Sequence, residues 1–88
     1  MIPSERLAQV REILERAGLQ EQTVSALREA FTDLHFTYCM DEDVGTEEPV
    51  IQAKGFNLYL VDGRGHCMRF TTDRKKATGI LLAEVEEC

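Results

Sequence analysis

Apolar positions recur with helical spacing over the first third of the chain and then switch to strict alternation. Leu7, Val10, Ile13, Leu14 and Ala17 fall on one side of a helix predicted over residues 4–17. Pro3 suits its first turn, and Ser4 is an alternative cap. Glu5 near the start and Arg16 near the end complement the helix dipole, and Gly18 is a natural stop. Val24, Leu27, Ala30 and Phe31 predict a second helix over 20–31, with Leu19 and Val24 placed to form a hydrophobic staple. The short Gly18-Leu19 link favours an αα-hairpin with both apolar stripes facing the core.

At 34–40 the period changes to two. Leu34, Phe36, Tyr38 and Met40 alternate with His35, Thr37 and Cys39, the mark of a half-buried strand. An acidic loop follows, and Val50-Ile51-Gln52-Ala53 reads either as a short edge strand or as the loop's return. Residues 56–72 form the strongest local signal, a β-hairpin with strands at 56–62 and 66–72. Asp62-Gly63-Arg64-Gly65 suits a type I turn followed by a G1 bulge, giving a three-residue loop. That register pairs Asp62 with His66. It puts Phe56, Leu58, Leu60, Met68 and Phe70 on one buried face, and sets Tyr59 against Arg69 on the other.

Asp73 can cap a single helical turn that Gly79 ends. This connection is shorter than the dozen or so residues of a parallel crossover, so the next strand, 80–85, is expected to run antiparallel. Its near-continuous apolarity predicts a well-covered strand. The expected fold class is α+β: one domain, 1–88, with an N-terminal αα-hairpin packed on one face of an antiparallel sheet of three to four strands.

Composition changes this picture little. At 88 residues and 43% hydrophobic, the chain suits a single small globular domain. A formal charge of −6 argues against sequence-independent nucleic-acid binding and against anionic membrane surfaces. No run reaches the ~20 apolar residues of a membrane span, and the start has no secretory h-region, so a soluble cytoplasmic protein is expected. Cys39, Cys67 and Cys88 form no CxxC pair and read as reduced thiols.

The strings Leu34-His35-Phe36-Thr37-Tyr38-Cys39, Phe56-Asn57-Leu58-Tyr59-Leu60-Val61-Asp62-Gly63 and Ala77-Thr78-Gly79-Ile80-Leu81-Leu82-Ala83-Glu84 carry a resemblance. From about residue 34 onward, the chain resembles a family of small uncharacterised proteobacterial proteins associated with nitrogen-fixation gene clusters. The resemblance implies a cellular setting and supplies no catalytic residues, cofactor or metal.

Candidate chemistry is sparse. His35, Cys39, His66 and Cys67 are the metal suspects. His35 and Cys39 share a strand face but stand ~13 Å apart, whereas zinc ligands lie ~2.0–2.3 Å from their ion. His66 and Cys67 point to opposite faces of a strand. No metal and no cofactor is therefore expected. Asp41, Glu42, Asp43, Glu47 and Glu48 lack EF-hand spacing and read as exposed charge, or as an acidic docking surface. Arg74, Lys75 and Lys76 form a basic knuckle of opposite sign. Asp62 with His66 resembles half a catalytic pair, for which a hydrogen bond between hairpin neighbours is the simpler account. No enzyme constellation stands out. The leading expectation is an accessory protein that binds another protein, with homo-oligomerisation left open. The alternative is a metal- or small-ligand-binding protein using the Cys and His residues.

Overall fold

In the computed structural model, which describes residues 2–45, 47–63 and 69–85, two helices pack on one face of a mixed, five-stranded sheet. Helix α1 is Ser4–Ala17 and α2 is Glu21–Ala30. Pro3 is the cap residue of α1, and its carbonyl accepts the N–H groups of Arg6 and Leu7 at 3.1 and 3.3 Å. Gly18, at φ 80°, closes the helix by donating its N–H to the Leu14 carbonyl at 2.8 Å. Gln20 lies just ahead of α2, and its side-chain amide donates to the Ala17 carbonyl at 2.8 Å. It thus occupies one of the acceptors that α1 leaves open at its end.

The strands are β1 (His35–Met40), β2 (Ile51–Ala53), β3 (Phe56–Asp62), β4 (Arg69–Thr71) and β5 (Gly79–Glu84). Their order is β1-β5-β3, and β2 and β4 share the remaining edge of β3. The short segment after the acidic loop is therefore a strand. The sheet is mixed rather than purely antiparallel, because β5 lies between β1 and β3 and runs parallel to β1, from His35 opposite Gly79 to Met40 opposite Glu84. The apolar run of β5 explains its central place. Gly79 to Ala83 are all buried, so the strand needs a neighbour on each edge and cover on each face. Gly79 belongs to this strand rather than ending a helical turn. A Cβ there would lie 2.6 Å from the His35 carbonyl oxygen, so glycine is what lets β1 approach.

The hairpin register departs from the expected one. Asp62 pairs with Arg69, Val61 with Phe70 and Leu60 with Thr71. The offset from the expected pairing is three residues, an odd number, so β4 presents its other side. Phe70 leaves the face of Leu58 and Leu60 and packs edge-on against Tyr59, with ring centroids 5.6 Å apart. Arg69 shares the side of Asp62 and does not face Tyr59. The expected partner His66, with Cys67 and Met68, lies outside the described residues. On the helix-covered face Ala77, 1% exposed, joins the buried cluster of Leu58 and Leu60 in which Phe70 was expected.

Ala77 belongs to a second unexpected feature. β4 and β5 are both antiparallel to β3 and flank it, so residues 72–78 cross over β3 and enter a strand parallel to β4. The crossing spans only two strand spacings, roughly 10 Å, which seven residues can bridge without a full helix. Asp73 shapes the turn: its carboxylate accepts the Lys75 N–H at 2.9 Å and its carbonyl accepts those of Lys76 and Ala77. The Ile2 N–H donates to the Arg74 carbonyl at 2.8 Å, tying the turn to the start of α1.

Candidate functional site: the acidic loop and the sheet face beneath it

β1 and β2 lie at opposite sides of the sheet, so the chain between them must cross β5 and β3. It does so on the face that the helices leave bare. There Tyr59, Val61, Leu81 and Ala83 form a second apolar cluster, against which Cys39 and Val44 pack. The crossing begins with a turn of 3-10 helix, Asp41–Asp43. One carboxylate oxygen of Asp41 accepts the Tyr59 hydroxyl at 2.8 Å and the Asn57 side-chain amide at 2.9 Å. At its far end the Val50 N–H donates to the Leu58 carbonyl at 2.8 Å. The loop is therefore anchored at both ends and pinned in between by Val44.

This arrangement sets the protonation of the groups beneath it. Burial, followed by the hydrogen bond to Asp41, pushes the Tyr59 hydroxyl up to about 12. Burial, followed by the carboxylates of Asp43 and Asp41, raises the Cys39 thiol. A thiol held protonated is a poor nucleophile and a poor metal ligand.

The acidic residues divide into two kinds. Asp41 is half-buried and committed to Tyr59 and Asn57, so it is not a free docking charge. Glu42, Asp43, Glu47 and Glu48 are exposed. Glu47 and Glu48 join Phe70, Thr71 and Thr72 around a shallow depression of about 440 Å³. Phe70 is 37% exposed there, one of two large apolar side chains open to solvent among the described residues; the other is Tyr38.

The basic knuckle Arg74, Lys75 and Lys76 is exposed beside the start of α1, near the end of the sheet where β5 begins. Asp41–Asp43 follow the opposite end of β1. Among the described residues no ion pair joins the two groups. His35 is exposed and Cys39 half-buried on β1. Among the described residues no three His, Cys, Asp or Glu side chains gather so as to hold a metal ion. His66 and Cys67 lie outside those residues.

Sequence reasoning missed Asn57 and Tyr59 as partners of Asp41, and Phe70 as a surface aromatic. One signal was present: Tyr59 and Val61 with Leu81 and Ala83 make a second apolar face that needs cover, and Val44 is the apolar residue within the acidic stretch.

Residues 6–85 match the family of unknown function DUF6129. The chain belongs to that family. The match takes in all but the first two residues of α1, the whole of α2 and every strand described above, so the acidic loop and its anchors are part of the family's region. No curated protein and no solved structure matches the chain. Among the described residues no helix is long and apolar enough to cross a membrane.

Proposed function

We propose that this family member is an accessory protein that acts by binding another protein, in the setting of nitrogen fixation. The setting rests on the resemblance of the chain, from about residue 34 onward, to proteins associated with nitrogen-fixation gene clusters. The binding mode rests on one observation: Phe70 is exposed beside Glu47 and Glu48, on a loop that Asp41 and Val44 hold against the sheet. An aromatic ring rimmed by carboxylates suits a basic segment that also carries an apolar side chain. Because the loop is anchored, little ordering entropy opposes such binding. Glu42 and Asp43 extend the acidic field and steer the encounter.

The test is capture from nitrogen-fixing cells with the wild-type chain and with a Phe70→Ala, Glu47→Gln, Glu48→Gln variant. A protein retained by the first and lost by the second is the expected result. Its association rate should fall as salt shortens the Debye length from ~10 Å at 0.1 M to ~3 Å at 1 M. Equal capture by both chains removes this surface from the mechanism. Loss confined to an Arg74, Lys75, Lys76 variant moves the contact to the basic knuckle. One equivalent of zinc or iron in tag-free protein, lost on mutating Cys39 or Cys67, would instead favour the metal-binding use of His35, Cys39, His66 and Cys67.

A further inference from the structure

β1 is an edge strand. Among the described residues it pairs with β5 and nothing else. The His35 N–H donates to the Thr78 carbonyl, so His35, Thr37 and Cys39 spend their backbone groups on β5. The N–H and C=O of Phe36, Tyr38 and Met40 therefore face outward. The six side chains of this strand carry no formal charge, and no proline or lysine blunts the edge. Among the described residues it is guarded by Arg28 of α2, whose guanidinium donates to the outward carbonyl of Phe36 at 3.0 Å. Tyr38, in the middle of the edge, is 44% exposed.

We infer that β1 is a homodimer interface, on which β1 of a second copy of this chain pairs antiparallel about a two-fold axis at Tyr38. The open backbone groups dictate that register. Tyr38 meets Tyr38 of the other copy, and Phe36 meets Met40, so every outward N–H and C=O from 36 to 40 gains a partner. Charge then selects the occupant. Met40, Asp41, Glu42, Glu84 and Val85 line an acidic depression at the end of β1. The register places Phe36 of the second copy opposite Met40, and with it the Arg28 that had capped the Phe36 carbonyl. The new ladder takes over that carbonyl and releases Arg28 toward the carboxylates of Glu42 and Glu84. The two-fold axis repeats the exchange at the other end. Each chain carries −6, so two copies repel at long range, and this basic group meeting an acidic depression is the local contact that offsets it. The interface lies across the sheet from Phe70, so Phe70, Glu47 and Glu48 stay open in the dimer, while Glu42 turns to the contact with Arg28.

Sedimentation equilibrium of the full chain through the micromolar range tests the assignment. The wild-type chain is expected to sediment at twice its chain mass. Tyr38→Glu sets two like charges directly opposite each other at the two-fold axis, beside the Glu84 carboxylate that the Tyr38 hydroxyl bonds at 3.0 Å, and should weaken the dimer about tenfold or more. Because residue 38 is exposed, circular dichroism should show an unchanged fold. Arg28→Glu should weaken the dimer as well, and Arg28→Glu combined with Glu42→Arg should restore it. Phe70→Ala, on the far edge, should leave it intact. A monomeric wild-type chain overturns the proposal. So does a dimer that Tyr38→Glu leaves undiminished, or one that Phe70→Ala dissolves in its place. Failure of the charge swap to restore association overturns the register.

Discussion

On the helix-covered face, Phe56, Leu58, Leu60, Ile80 and Leu82 pack against Leu7, Val10, Leu14, Val24 and Leu27. On the other face, Tyr59, Val61, Leu81 and Ala83 are buried comparably well, yet a ten-residue connection covers them instead of a helix. A helix satisfies its own backbone, so apolar contact is enough to hold it down. A loop brings unpaired backbone groups and, here, several carboxylates, so it needs polar anchors as well as Val44. Asp41 is that anchor. Fixing the loop also fixes where Glu42, Asp43, Glu47 and Glu48 stand, and so the polar device that closes one face also orders the acidic surface.

The contrast breaks most visibly on the helix side. Leu58 is 0% exposed at the centre of the larger cluster, so Leu58→Ala should cost ~2–5 kcal/mol through lost burial and the cavity left behind. The shift of the urea midpoint at constant slope measures it. A loss below that range would mean the helices close down on the gap.

On the loop side the largest effect should be polar. Tyr59→Phe keeps the ring and removes the hydroxyl that Asp41 accepts, leaving the half-buried carboxylate with Asn57 as its remaining side-chain donor among the described residues. A cost of ~1.5–3 kcal/mol is expected, and Asn57→Ala should act in the same direction. The pH dependence identifies the hydroxyl. Tyr59 titrates at about 12 in the folded chain, against an ordinary value of ~10. The unfolded state therefore loses its proton first. The stability this provides is complete below pH ~10 and disappears as pH rises towards ~12. Tyr59→Phe should flatten that alkaline fall. Cys39, by burial, and Tyr38, by its hydrogen bond to Glu84, shift in the same direction and add to the same alkaline fall.

How much of this was legible differs between the two faces. The 3.6-residue recurrence of Leu7, Val10 and Leu14 marked the buried stripe of α1, and the alternation of Phe56, Leu58 and Leu60 marked the core side of β3. Both are local patterns, set by the period of one element. The apolar run at 80–83 announced a well-covered strand but not which strand would lie on each edge, and the insertion of β5 beside β1 followed from no local pattern. Of the site, the charges were legible and their use was not. Asp41 reaches Asn57 and Tyr59 across 16 and 18 residues of sequence, a contact that exists only once β5 and β3 are ordered side by side. The hairpin failed for a related reason: turn chemistry at 62–65 favours a short loop, while packing of Phe70 against Tyr59 and of Ala77 against the helix side selects another register.

Phe70 sharpens the comparison at its margin. It gains edge-to-face contact with Tyr59 but stays more than a third exposed, so Phe70→Ala should cost only ~0.5–1.5 kcal/mol, well below Leu58→Ala. Equal costs for the two would return Phe70 to the helix-covered face and restore the shorter hairpin loop.

The smallest expected effect is a gain. Thr23 of α2 is 4% exposed, and among the described residues its hydroxyl has no hydrogen-bond partner. On the loop side the buried polar groups bond to one another, whereas this hydroxyl bears its desolvation cost without return. Thr23→Val keeps the branched shape and nearly the same helix propensity while removing the polar atom. Stability should rise by ~1 kcal/mol, read as a higher urea midpoint with unchanged slope. A loss would mean that the hydroxyl bonds in solution, most simply back to a carbonyl one turn earlier in the chain. In that case the helix-covered face, like the loop-covered one, would depend on a polar contact, and the contrast between the two covers would narrow to the Asp41 anchor alone.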